Sequence, residues 1–286
     1  MAEEIPLFPK AESMLINSGN IVNWNRLKRN PKQTPDEELA ECINETLENF
    51  LTSADKTELQ YVTDLVCVHS KFKETIPSAE RDELKLTGMM FLEFTVGMAT
   101  KMKVSLCNLQ SPSHITEAID KTMSQLDVTF IETVLLSFPG REEELTLEEI
   151  QPYWQVLEGL VEGESASVLS IGVSDLSTNQ LKQLYQWAQV KPIINQVNLA
   201  SCCVMPPDMV EFAKLNDIQL LTHSDPPDVL PQSSFRDLIA ANSTSRDAEK
   251  WKALWSVRYS VLVKCRGIVK TKGYIVKAVR DMKRQN

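Results

Sequence analysis

The sequence predicts an α/β protein, a (β/α)8 barrel of the TIM type, on three observations. Short apolar runs alternate with amphipathic segments through the middle of the chain, the cycle recurs every roughly 25 to 35 residues, and the glycine patterns that cradle phosphates are missing. Strands separated by helices require crossover connections, hence parallel pairing with helices packed against the sheet. With nine glycines in 286 residues and no G-x-G-x-x-G, G-x-x-x-x-G-K or G-x-S-x-G, the dinucleotide fingerprint, the P-loop and the hydrolase elbow are excluded, and a barrel is preferred over a doubly wound sheet. The length accommodates one barrel, which typically takes about 250 residues. One domain is therefore expected over residues 1–286, with a less regular N-terminal segment and a basic C-terminal segment.

Taken in order, residues 36–51 and 57–68 look helical or mixed, and residues 83–94 look like strand. From 114 to 126, Ile115, Ala118, Ile119, Thr122, Met123 and Leu126 share one face at helical spacing. An apolar run over 130–138 follows, then a stripe of Trp154, Leu157, Leu160 and Val161. Residues 168–173 read as a buried strand ending in Ser174. Ser177 with Gln180 three positions on is a capping-box signature, and behind it Leu181, Leu184, Tyr185 and Ala188 form the helix stripe that Pro192 stops. The next strand runs over 193–199. Pro206 and Pro207 open a helix whose first turn carries Asp208 and Glu211, where carboxylates suit the positive end of the dipole. Residues 218–223 are the strand after it, and Asp225-Pro226-Pro227-Asp228 begins an irregular connection. The segment 264–284 is rich in lysine and arginine and reads first as a solvated face.

Composition bounds the function. Thirty basic against 39 acidic residues leave a net charge of -9, which argues against a general nucleic-acid binder, since phosphate backbones reward clustered positive charge. The hydrophobic share is 43% with mean hydropathy -0.20, and nowhere do about 18 apolar residues run uninterrupted, so no membrane span is expected. The start, Met-Ala-Glu-Glu-Ile-Pro, is acidic and lacks an apolar run of signal-peptide length, which places the protein in the cytoplasm. Cysteines at 42, 67, 107, 202, 203 and 265 show no C-x-x-C spacing and read as free thiols. His69, His114 and His223 offer no ligand pair, so no metal site is expected.

Functional groups of such a barrel gather where strands end and loops begin. Ser174 and Asp175 follow one strand, Gln196 lies in the next with Cys202 and Cys203 after it, and His223 and Ser224 close the strand after that. These residues are expected to share one mouth.

The same residues carry a resemblance. Ser167-Val-Leu-Ser-Ile-Gly-Val-Ser-Asp175 with Lys191-Pro192-Ile-Ile-Asn-Gln196 resembles the aldo-keto reductases, in which a strand ending Ile-Gly-Val-Ser-Asn is followed by a Lys-Pro-x-x-x-Gln strand. Leu136-Ser137-Phe138-Pro139 stands where that family has an Ile-His-Trp-Pro-like segment, and Thr222-His223-Ser224 where it has Ala-Tyr-Ser. More specifically, Gln183-Leu-Tyr-Gln-Trp-Ala-Gln-Val-Lys-Pro192 and Asn195-Gln-Val-Asn-Leu-Ala-Ser-Cys-Cys-Val-Met-Pro-Pro-Asp208 resemble the family of regulatory (modifier) subunits of glutamate-cysteine ligase. Gln151-Pro-Tyr-Trp154, Arg258-Tyr-Ser-Val and Lys272-Gly-Tyr-Ile275 do so as well. The likeness covers most of the chain and is thinnest from about 30 to 110.

The resemblance implies an aldo-keto reductase-like barrel without carbonyl-reducing chemistry. Ser137 takes the place of the carbonyl-orienting histidine, Met89 falls where the lysine would be, and no tyrosine sits in an Asp-Thr-Ala-x-x-Tyr context. A general acid is worth roughly 100- to 10,000-fold to such a reaction. The contacts that hold a nicotinamide carboxamide match at Ser174 and Gln196, with Asp175 for asparagine and His223 for the stacking aromatic. No cofactor is required, and NADPH is a possible one, its phosphates held by Lys264, Arg266, Lys270 or Lys272. The family further implies a heterodimer with the glutamate-cysteine ligase catalytic subunit, better use of glutamate, relief of glutathione feedback inhibition, and an intersubunit disulfide for which Cys202, Cys203 and Cys265 are the candidates. The rival readings are an NADPH-dependent oxidoreductase with an unusual proton donor and a cofactor-sensing module with another partner.

Overall fold

The computed structural model describes residues 10–24, 33–76, 98–107, 109, 111–139, 144–163, 166–199, 204–263 and 268–281. In chain order these hold β1 (Ser13–Asn17), a 3-10 turn (Ile21–Asn23), α1 (Pro35–Ser53), α2 (Lys56–Leu59), β2 (Asp64–Val68) and β3 (Met98–Leu106). Then come α3 (Ser113–Leu126), β4 (Ile131–Ser137), α4 (Leu147–Glu162), β5 (Val168–Ser174), α5 (Thr178–Trp187), β6 (Ile194–Asn198), α6 (Pro207–Leu215) and β7 (Gln219–His223). α7 (Gln232–Asn242), α8 (Ser245–Ala248), β8 (Trp251–Val263) and β9 (Ile268–Arg280) complete the described chain. The strand expected over 83–94 lies outside the described residues.

From β3 to β7 the expected alternation is present: each strand is followed by a helix and pairs in parallel with the next. Helix starts follow local chemistry. Ser177 caps α5 and Gln180 reaches back to the Ser177 N–H, as the capping-box spacing predicts, and Thr146 with Glu149 does the same for α4. Pro35 and three acidic residues open α1.

The nine described strands form one sheet in the order β2-β1-β9-β8-β3-β4-β5-β6-β7. Among the described residues β2 and β7 have no strand beyond them, so the described sheet is open. Its centre is the long antiparallel pair β8 and β9, 13 residues each, which runs between β1 and β3. The basic tail is thus a core strand as far as Arg280. Tyr274, Val276 and Ala278, two residues apart, are buried on one face, with Lys272 and Arg280 at the two ends of their row, while Ile275 is buried on the other. That period of two follows from successive side chains pointing to opposite faces of the sheet.

Two hydrophobic clusters follow from the two faces. α1 and α7 pack Leu39, Ile43, Leu47, Phe235 and Ile239 over β1, β2, β9 and the start of β8. On the opposite face α3 to α6 pack Ile119, Trp154, Leu157, Leu181 and Leu184 over β3, β4, β5 and the rest of β8. β5 and β6 approach so closely that a Cβ at Gly172 would lie 2.6 Å from the Ile194 carbonyl oxygen.

Candidate functional site

Strand register builds the site. Ser256, Ser105, Ser137, Ser174 and Gln196 stand opposite one another in turn on β8, β3, β4, β5 and β6, a row of short polar side chains on one face. One step along, Lys103 on β3 faces Arg258 on β8, which faces Tyr274 on β9. β5 ends at Ser174, and Asp175 turns the chain with φ of 65°, a left-handed conformation that Asp tolerates better than most residues. Its N–H donates to the Gln196 carbonyl at 2.8 Å, which pins the turn to β6.

Four of the residues expected at the mouth come together. The Ser174 hydroxyl donates to Asp175 Oδ2 at 2.9 Å and lies 3.4 Å from the Gln196 carbonyl and 3.5 Å from His223 Nε2. His223, its side chain 5% exposed, places Nε2 2.8 Å from Asp175 Oδ1 and Nδ1 3.1 Å from Asp225 Oδ2. Asp225 is the hub of the buried charges. Arg258 donates to both its oxygens at 2.8 and 2.9 Å, Lys103 donates at 3.2 Å, and Asn198 holds its backbone carbonyl at 2.7 Å. Lys103 Nζ is also 4.0 Å from Asp175 Oδ2. Two carboxylates thus face one lysine and one arginine, with an imidazole bridging the acids.

The protonation states are set by this packing. Burial opposes ionisation of Asp225, yet the His223 hydrogen bond, Arg258 and Lys103 together hold its carboxyl far below the usual carboxylate range. Burial opposes ionisation of Asp175 too, and His223 and Lys103 again outweigh it. Burial disfavours the His223 imidazolium, but its bonds to Asp175 and Asp225 raise its pKa above the ordinary value. Burial lowers Lys103 despite both acids.

Lys103, Asp225 and Arg258 were not among the expected site residues. For Lys103 and Arg258 the signal is a charge inside an apolar strand, as in Trp251-Lys-Ala-Leu-Trp-Ser-Val-Arg258, because a buried charge needs a partner. Cys202, Cys203, Lys264, Cys265, Arg266 and Met89 lie outside the described residues. Lys272, on β9, is engaged with Glu38 on α1, and β8, β3 and β4 lie between its strand and that of Ser174.

For a nicotinamide, the donor set fits at its carboxamide end. The Gln196 side-chain oxygen is buried with no hydrogen-bond partner among the described residues, an acceptor that a carboxamide NH2 would satisfy, and Ser174 supplies a hydroxyl on the neighbouring strand. Asp175 and His223, by contrast, are already bonded to each other. Tyr274, which shares a small pocket with Lys103 and Asp225, donates its hydroxyl to Glu38 at 2.6 Å and is pushed well up by burial. Burial also raises Tyr153 and Tyr259.

Known proteins resemble the chain at two levels. The aldo/keto reductase family profile matches residues 26–225. The glutamate–cysteine ligase regulatory subunit of Rattus norvegicus is 42% identical over 277 residues, 96% of this chain and 95% of its own length. That of Homo sapiens is 41% identical over the same shares. Among solved structures, a Bombyx mori aldo-keto reductase in complex with NADP aligns over 43% of this chain and 40% of its own, at 18% identity and a TM-score of 0.35. An overlap of that size carries no functional conclusion.

Proposed function

This chain belongs to the aldo/keto reductase family and, within it, to the glutamate–cysteine ligase regulatory subunits, and from that membership we propose that it works by binding a separate catalytic subunit. In this reading it improves the partner's use of glutamate and weakens feedback inhibition by glutathione, while reducing no carbonyl compound itself. The observation that carries the reading is identity above 40% along nearly the whole of both chains. The site supports it: the position of the carbonyl-orienting histidine is Ser137, 7% exposed, and a serine hydroxyl is far too weak an acid to protonate an alkoxide. Thermodynamics adds a constraint. If the chain raises the catalytic subunit's affinity for glutamate, bound glutamate must tighten the two subunits by the same factor.

A second reading concerns the cofactor. NADPH binding through Ser174 and Gln196, beside Asp175 and His223, is favoured by the unsatisfied Gln196 oxygen. When bound, such a cofactor would carry a hydride; the residues of this chain would only hold its carboxamide. Sedimentation of the chain mixed with purified catalytic subunit tests the first reading: a complex is expected, and two independent boundaries would overturn it. Calorimetry with NADPH tests the second, with heat in the wild type and weaker binding in Gln196→Ala expected. No heat at millimolar cofactor overturns it.

A further inference from the structure

We propose that the cleft at the C-terminal ends of β4, β5 and β6 receives a basic side chain, an arginine or lysine on an otherwise apolar segment, from the catalytic partner. The proposal rests on the regulatory-subunit reading and adds to it the surface and chemistry of contact. The cleft holds about 500 Å³, within the roughly 300–1,000 Å³ range of sites that enclose a ligand group. Pro139, Pro206 and Pro227 stand in its walls with Phe138 and Met209. Proline walls have a fixed φ and lose little freedom when a guest enters.

Charge selects the guest. Among the described residues, the cleft's charged side chains are Glu144 and Asp175, both acidic. Asp175 is the most exposed member of the network: its side chain is 38% exposed, against 23% for Arg258, 5% for His223, 3% for Asp225 and 6% for Lys103. An anion would face two carboxylates. At the start of α5 two backbone donors are already taken: Gln180 Oε1 accepts from the Ser177 N–H at 2.9 Å and Ser177 Oγ from the Gln180 N–H at 3.4 Å. A purely apolar guest would strip water from both carboxylates and return nothing. A guanidinium or ammonium bonds them with charge assistance, and its alkyl stem packs on Phe138 and Met209.

A polypeptide source fits the placement. Asn198 and Pro206, on either side of the stretch 199–205 that contains Cys202 and Cys203, both line the cleft. In sequence, then, the two disulfide candidates fall between two residues that line the cleft. The net charge of -9 suits a basic guest as well.

The test uses the full chain with purified catalytic subunit, and calorimetry at low and high salt. Glu144→Lys is expected to weaken association by about tenfold or more, Glu144→Gln to flatten its salt dependence, and Thr178→Trp, which fills the cleft from its rim, to weaken it at both salts. Unchanged affinity in Glu144→Lys and Thr178→Trp overturns the proposal while leaving the regulatory reading intact. Should wild-type chain and catalytic subunit not associate, the regulatory reading fails, and a second measurement judges the cleft alone. N-acetyl-arginine methylamide is expected to shift the backbone amide resonances of Ser177 and Thr178 in the isolated chain, N-acetyl-norleucine methylamide to leave them, and Glu144→Lys to abolish the response. Equal response to both compounds, or to neither, overturns the assignment of a cationic guest.

Discussion

Removing the carboxylate of Asp225 should be among the most damaging single changes available in the site. Its side chain is 3% exposed, and it accepts from Arg258 at 2.8 and 2.9 Å and Lys103 at 3.2 Å, with His223 Nδ1 3.1 Å away. Asp225→Ala takes the bidentate carboxylate from Arg258 and leaves Lys103 and His223 with Asp175 alone. Breaking a buried pair by deleting one partner typically costs about 3–5 kcal/mol, whereas an exposed pair is worth about 0–1. We expect a loss of about 4 kcal/mol, read as a lowered urea midpoint with unchanged slope at neutral pH. Asp225→Leu with Arg258→Met should cost clearly less than Asp225→Ala, because one charge then leaves with the other. The pH dependence has a definite sign. Asp225 has its folded pKa held far below the unfolded value, so its contribution is fully present above about pH 4 and fades as pH falls toward the folded pKa. The wild-type and Asp225→Ala stability curves should therefore converge in acid. A loss below about 1 kcal/mol at neutral pH, the exposed-pair value, or a gap that widens as pH falls, would refute the reasoning.

Three further outcomes are expected. The His223 ring resonances should titrate above the ordinary histidine range and move down in Asp175→Asn, and the stability His223 contributes should be full below its unfolded pKa of about 6.5 and vanish as pH rises through the raised folded value; a titration unmoved by Asp175→Asn would break the assigned pair. Gly172→Ala should destabilise by about 1–3 kcal/mol, since the added carbon meets the Ile194 carbonyl oxygen, which cannot swing away as the nearby Leu135 side chain can, and a variant as stable as wild type in thermal melts would show that β5 and β6 part more easily than their register implies. Oxidation of the two-subunit mixture should give a reducible heterodimer band that vanishes when Cys202, Cys203 and Cys265 become serine. Persistence of the band in that triple variant would move the linkage elsewhere, although burial raises the thiols of Cys42, Cys67 and Cys107, the last two to about 12, which makes them poor nucleophiles.

The βα units from β3 to β7 are legible in the sequence because each element carries its own punctuation. The Ser177 and Gln180 box starts α5, Pro207 starts α6, and the apolar strands between them end in polar residues. Strand-end logic likewise predicts that Ser174, Asp175, Gln196 and His223 meet, and they do. What stays hidden is non-local. Nothing near Ile268–Arg280 says that one of its antiparallel neighbours is β1, because pairing across 258 to 266 residues leaves no short-range mark. The lysines and arginine of that strand resemble a solvated face when counted, and only the alternation of Tyr274, Val276 and Ala278 reveals a buried one. The partners of His223 escape a local reading for the same reason. Asp225 lies two residues on and reads as the opening of a loop, while Lys103 and Arg258 reach it from strands 122 and 33 residues away.

The regulatory claim itself is tested most directly by the steady-state kinetics of the glutamate–cysteine ligase catalytic subunit with and without this chain at saturating ratio. The account predicts a lower apparent KM for glutamate and weaker inhibition by glutathione in the mixture, with no ligation by the chain alone. A mixture whose glutamate and glutathione curves superimpose on those of the catalytic subunit by itself would contradict it.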